Sequence, residues 1–200
     1  MLVMVGMPGS GKSTFSEQLV ASGRGWARVC QDECGGSRRA CEGEWSRLAL
    51  RDAHRGARPI LDRCNATAAD RREWMDLALL SKRDKGIWAV FFDVAPDECA
   101  ARVAARTNHP TIPQGRGAKA VESFAKLMQP PTREEGFERV ITVRSYEEAN
   151  ALLTSLGAAP PDLPTTPALQ LAAAAAASRV HKYDDWDAWE PKEEAQGDAE

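Results

Sequence analysis

Gly6-Met7-Pro8-Gly9-Ser10-Gly11-Lys12-Ser13-Thr14 is the stretch that decides the fold. It satisfies the pattern G-x-x-x-x-G-K-[ST] at every defined position. Gly6, Gly9 and Gly11 let the backbone curl and turn its N–H groups inward, where a side chain would block a phosphate. The helix that follows adds the positive end of its dipole. Lys12 can reach the outer phosphates of a bound nucleotide, and the Ser13 hydroxyl can ligate Mg²⁺. Pro8, Ser10 and Thr14 complete the cradle. The neighbours agree with this reading. Leu2-Val3-Met4-Val5 is a short apolar strand entering the loop, and Thr14 to Val20 continues as a helix. The alternative, a glycine-rich surface turn, leaves that order of strand, loop and helix unexplained.

Outward from the loop, strands and helices alternate. The sequence predicts strands at Trp26–Cys30, Arg58–Asp62, 86–94 and 139–143. Residues 86–94 are almost continuously apolar, as a strand covered on both faces should be. Helices are expected through Trp45, Leu48 and Leu50, after Thr67, from Pro96, near 118–129 and from Tyr146 to Leu156. The pattern implies an α/β fold: a five-stranded parallel sheet with helices on both faces, strand order 2-3-1-4-5. Residues 107–117, with Pro110, Pro113, Gly115 and Gly117, read as a mobile loop. One domain is expected over 1–157. Residues 158–200 read as a Pro/Ala-rich and acidic tail, largely disordered.

Composition narrows the function classes. The chain has 200 residues, 43% hydrophobic, enough for a true core, and a net charge of −3. Bulk charge therefore gives no argument for nucleic acid. Residues 182–200 hold two cations and eight acids, a net of −6, against +3 for residues 1–181. Trp186 and Trp189 lie among those acids, so the tail is a candidate dock for a protein partner; a plain solvated tail is the commoner meaning of such a run. Five cysteines without a C-x-x-C pair argue against zinc and for free thiols in a reducing compartment, cytoplasm or nucleus. The strand beginning at the first Met leaves no room for a cleaved leader. No apolar run approaches the roughly 18 residues that span a bilayer, so no membrane partner is expected.

The chemistry-bearing residues fall at the carboxyl ends of the strands, where ligands bind in open parallel sheets. Asp32 follows the second strand and can take a proton from an attacking hydroxyl. Glu33 is its rival, and a helix cap is its alternative use. Arg38 and Arg39, within a turn of it, suit an acceptor that carries phosphate; a solvated pair at a helix start is the other reading. Asp62 ends the third strand and can serve Mg²⁺ water or the acceptor, and Asn65 can begin the turn into Thr67. Arg102 and Arg106 lie one turn apart on one helix face, running into the 107–117 loop, where a lid arginine belongs. Arg116 is a weaker candidate for that role. His109 has no evident catalytic use, and Trp26, Trp45, Trp74 and Trp88 fall at core spacing.

Together these pieces resemble the polynucleotide 5′-hydroxyl kinases, above all the kinase module of polynucleotide kinase/phosphatase; proteins joining such a kinase to an aprataxin-like domain are similar too. The resemblance rests on the phosphate loop, Val29-Cys30-Gln31-Asp32, Leu61-Asp62-Arg63-Cys64-Asn65 with Asp70-Arg71-Arg72 beyond, and Arg102 to Arg106 before a lid. It spans about residues 1 to 157. It implies ATP and Mg²⁺ as cofactors, the 5′-OH end of DNA or RNA as acceptor, and Asp32 as general base. Arg38 or Arg39 would contact the acceptor phosphate, with Asp62 and Asn65 on the acceptor side. Lys12 and Ser13 would handle ATP and Mg²⁺, and Arg106 with Arg102 would act over the triphosphate. Better-known members carry arginine before the base, where this chain has Gln31. Neither a D-x-D-x-T nor an H-x-H-x-H motif occurs, so the resemblance is to a kinase alone. A kinase of a small molecule and a non-catalytic ATP-binding module are the competing expectations.

Overall fold

The structure, a computed structural model, describes residues 1–31, 33–51, 56–79, 86–105 and 117–161, without the side chains at 50, 51 and 79. Asp32, Arg106, His109, Arg116 and residues 162–200, the tail with Trp186 and Trp189 included, lie outside the described residues.

Five strands form one sheet: β1 (Leu2–Gly6), β2 (Trp26–Cys30), β3 (Arg58–Asp62), β4 (Trp88–Phe92) and β5 (Arg139–Val143). Their order is β2-β3-β1-β4-β5, as the sequence implies, and every pairing is parallel. β1 is central and buried at all five positions, which is why it reads as an unbroken apolar run. Its side chains alternate between two cores. Val3 and Val5 face α2 (Arg38–Ser46) and α3 (Ala68–Leu79), which contribute Cys41, Trp45, Trp74 and Met75. Leu2 and Met4 face α1 (Lys12–Ala21) and α6 (Tyr146–Ser155), through Phe15, Leu19 and Leu153. Phe15 meets Phe92 edge-on at 5.5 Å between ring centroids.

Two helices complete the unit beside the phosphate loop, α4 (Pro96–Ala104) and α5 (Gly117–Leu127). Cys99, Val103 and Val121 pack there with Met7 of the loop. Among the described residues no helix is long and apolar enough to cross a membrane.

Local chemistry sets the helix starts. Thr67 and Asp70 cap α3 reciprocally: the Asp70 N–H donates to Thr67 Oγ1 at 3.1 Å, and the Thr67 N–H to Asp70 Oδ2 at 3.2 Å. Pro96 opens α4 at its first turn. Ser145 caps α6, accepting from the Glu148 N–H at 3.2 Å. The helix expected through Leu50 departs from a plain α-helix. α2 stops at Ser46, and Arg47–Arg51 winds as a wider π turn that keeps Leu48 and Ala49 both buried. Trp45 and Trp74 are fully buried, and the Trp45 indole N–H donates to the Trp74 carbonyl at 3.2 Å. Trp26 and Trp88, at the amino ends of β2 and β4, lie under the guanidinium groups of Arg58 and Arg139.

Candidate active site

The chain leaves β1 at Gly6 and enters α1 through Gly11, which holds φ at +104°, a region closed to most L side chains. No side chain caps α1. Its first N–H groups are thus left for an anion, the reverse of α3 and α6. Gly9 is required by space as well as by φ. A Cβ there would stand 2.5 Å from the Cys99 carbonyl oxygen and 2.8 Å from Val103 Cγ2, so the loop rests directly on α4. Lys12 is buried, its ammonium donating to the Met7 carbonyl at 2.7 Å and to Ser10 Oγ at 3.3 Å. Ser13 is partly exposed in the first turn. This donor set fits a nucleotide's phosphates, and Ser13 supplies a hydroxyl that could ligate a divalent cation there.

Gly9→Ala is expected to force the loop off α4. Overpacking of this kind costs about 1–3 kcal/mol. ATP with Mg²⁺ at a hundredfold excess over Kd stabilises a one-site protein by about 2.7 kcal/mol, and the variant should lose more than half of that. Thermal unfolding with and without nucleotide checks both numbers; an undiminished ATP shift overturns the assignment of Gly9.

Asp62 and Asn65 follow from the end of β3. The Asp62 side chain is only 2% exposed and accepts from Arg28 Nε at 2.8 Å. Register explains the pair. Cys30 stands opposite Asp62, so Arg28, two residues back on the same face of β2, is its diagonal neighbour. Arg28 also reaches Glu17 of α1 and Glu33, each at 2.9 Å. Burial favours the neutral form of Arg28, but the charge of Asp62, with lesser help from Cys30 and Glu33, outweighs it and raises the guanidinium above its ordinary value. Asn65 takes a left-handed φ of 45°. Its amide nitrogen donates to the Met4 carbonyl at 2.7 Å, while its buried Oδ1 has no hydrogen-bond partner among the described residues. The Gly6 N–H donates to the Cys64 carbonyl at 3.1 Å. The turn after β3 is therefore sewn to the entry of the phosphate loop.

The four predicted arginines divide. Arg38 pairs with Glu42 at 2.8 Å and with Glu73, and its guanidinium lies 5.6 Å from the centre of the Trp74 ring. Arg39 is exposed and makes no ion pair among the described residues. Arg102 is braced against the phosphate loop: it pairs with Glu98, and its Nη1 points at the Gly9 carbonyl, 3.5 Å away. Arg106 lies outside the described residues, as does Asp32. The residues on either side of position 32 are each held by an arginine. Gln31 accepts from Arg63 Nε at 2.9 Å and donates to the Gly36 carbonyl at 2.9 Å, and Glu33 binds Arg28. A cleft of about 350 Å³ opens beside them, lined in part by Arg28, Cys30, Glu33, Cys34 and Glu44.

The cysteines are free thiols. Burial and a hydrogen bond with Cys34 push Cys41 up to about 12, and burial pushes Cys99 up to about 11. Both stay protonated at neutral pH, which removes them as nucleophiles. Among the described residues no group of three or more His, Cys, Asp or Glu side chains is arranged to hold a metal ion.

Sequence reasoning missed two residues that organise this region. Arg28 was read only as part of a strand; its role needed the β2–β3 register. Arg71 is completely buried, and its Nε and Nη2 donate to the two carboxylate oxygens of Glu135, each at 2.7 Å. Its Nη1 donates to the carbonyls of Asn65, Ala66 and Gln129 at 3.0, 3.3 and 2.9 Å. The signal was present, since Arg71, Trp74 and Ala78 share one helical stripe.

Residues 1–131 match the profile of a family described as AAA domain. The curated Arabidopsis thaliana protein "Transcription factor bHLH140" is 29% identical over 142 residues, covering 70% of this chain. The match covers only 15% of that protein's length. A fungal RNA kinase superposes with a TM-score of 0.56 at 17% identity, covering 89% of this chain and 96% of that one. Chaetomium thermophilum Kti12 in complex with ADP-AlF3 gives 0.59 at 12%, covering 78% and 96%. A sugar kinase from Janibacter sp. gives 0.54 at 16%, covering 80% and 95%. At such identities the likeness is one of fold, that of the P-loop kinases.

Proposed function

Because the chain belongs to the AAA domain family and keeps an intact phosphate loop, with an acidic, arginine-flanked turn after β2, we propose that it transfers the γ-phosphate of ATP to the 5′-hydroxyl of a nucleic acid. The observation that carries the acceptor is the company around position 32. Arg38, Arg39 and Arg63 stand within the turn or helix beside it, a setting suited to an anionic acceptor rather than a neutral one. Arg39, with no ion pair among the described residues, is the freer of the two candidates for the acceptor phosphate.

In this reading the loop N–H groups and Lys12 would hold the β- and γ-phosphates, and Ser13 would hold Mg²⁺, which would supply charge neutralisation on the phosphates. Asp32 takes the proton of the 5′-hydroxyl. The hydroxyl oxygen bonds to the γ-phosphorus as the bond from that phosphorus to the β,γ-bridging oxygen breaks, leaving ADP. Arg106 offsets the charge on the transferring group, and Arg102 steadies the loop beneath it. Asp62 and Asn65 shape the acceptor side through the turn after β3. Residues 1–157 form the catalytic unit.

The test is labelled ATP with 5′-hydroxyl DNA and RNA oligonucleotides beside a panel of nucleosides and sugars. Labelled oligonucleotide is expected, with affinity falling as salt rises by about 0.7 log units per decade for each phosphate contacted on a single strand. Labelled small molecules with no salt dependence would establish the metabolite reading instead. Thermal stabilisation by ATP with no labelled product would leave a binding module and refute the proposal.

A further inference from the structure

Position 32 is bracketed by two tethers that approach from opposite faces of the sheet. On the α1 face, Arg28 holds Glu33 at 2.9 Å and is itself anchored on Asp62 at 2.8 Å. On the α2–α3 face, Arg63 holds Gln31 at 2.9 Å, and its guanidinium lies 5.0 Å from the centre of the Trp74 ring. Each arginine is thus rooted on a side chain that the core immobilises, since the Asp62 side chain is 2% exposed and Trp74 is fully buried. The turn is closed from within as well. The Gly36 N–H donates to the Gln31 carbonyl at 2.8 Å, and the Cys34 N–H to the Cys30 carbonyl at 3.1 Å. Arg28 does one thing more: its bond to Glu17, one helical turn beyond Ser13, ties the turn to the helix that carries the phosphate loop.

We propose that Arg28 and Arg63 are positioning residues: by holding Glu33 and Gln31 they fix the turn after β2 relative to α1 and to the core under α3, and transfer depends on that restraint. The proposal rests on the kinase reading above and deepens it. Each arginine holds a neighbour of the proposed base and acts through it. In-line transfer depends on reacting atoms held near contact distance, where a displacement of about 1 Å costs on the order of a hundredfold in rate. A guanidinium suits the task because its rigid fork can hold two or three acceptors at once, which an ammonium on a flexible stem does less well.

The experiment compares Arg28→Gln and Arg63→Gln with Arg28→Lys, Arg63→Lys, Gln31→Ala and Glu33→Ala in the full chain. Gln31→Ala and Glu33→Ala cut the tethers while leaving Arg63 on Trp74 and Arg28 on Asp62, so they report even where an arginine variant fails to fold. We expect kcat per ATP-binding site to fall about tenfold for each cut tether and about a hundredfold when both are cut, with the Kd for ATP unchanged and the lysine variants intermediate. Backbone hydrogen exchange at Cys34 and Gly36 should quicken by tenfold or more in the same variants. A wild-type chain that phosphorylates no acceptor refutes the kinase reading, and exchange then decides the tethers alone. Unaltered exchange, or kcat within twofold of wild type in an active kinase, overturns the proposal.

Discussion

Asp32→Ala is expected to reduce transfer to a 5′-hydroxyl oligonucleotide by about 10²–10⁴-fold, the usual worth of a positioned general base. ATP affinity should not change, because in the proposed mechanism the loop N–H groups, Lys12 and Ser13 hold the nucleotide while Asp32 acts on the acceptor. Single-turnover labelling with equilibrium ATP binding separates the two quantities. Wild-type labelling by the variant would remove Asp32 from the role. If Glu33→Ala then collapsed by the full factor, rather than the tenfold expected of a tether, the base would be one residue further on. Arg106→Ala should be comparably damaging if that side chain acts as an arginine finger, whose worth is about 10³–10⁵ in kcat.

The second large effect is on stability. Glu135 is the only carboxylate paired with the fully buried Arg71 among the described ion pairs. Removing one partner of such a pair strands a charge in the core, at a cost of about 3–5 kcal/mol. For a chain of this size that is roughly 6–20 °C in Tm. Glu135→Leu should show it in urea and thermal unfolding, and Arg71→Met with Glu135→Leu should recover much of the loss, since a buried apolar pair costs little beside a stranded ion. Single variants within about 1 kcal/mol of wild type would show that the pair is not what closes this part of the core. The effect should reach the site, because Arg71 also holds the Asn65 and Ala66 carbonyls.

What the chain discloses without coordinates follows from which forces are local. The phosphate loop is legible because glycine suits the φ values at positions 9 and 11, and a Lys followed by a Ser or Thr hydroxyl supplies the chemistry there. The strand order is legible because an unbroken apolar run must lie inside a parallel sheet, and one charged residue or turn signal ends each run. The role of Arg28 was not legible in the same way. In sequence it is a cation inside an edge strand, and only the register that sets Cys30 against Asp62 brings the pair together. Arg71 lay on a stripe that periodicity marks as buried, but its partner is 64 residues away in a 3-10 turn whose position no local pattern fixes. The left-handed turn at Asn65 likewise depends on Met4, across the neighbouring strand.

The donor and acceptor halves of the site hang from unequal positions in the sheet. The phosphate loop grows from β1, flanked by strands on both sides, whereas the turn holding position 32 grows from β2, which has a neighbour on one side only. An outermost strand can lengthen, shift or trade its loop over generations without disturbing the hydrogen bonds of the middle. On the proposed reading the sheet constrains the nucleotide end more tightly, and a change of acceptor would need to disturb only the rim.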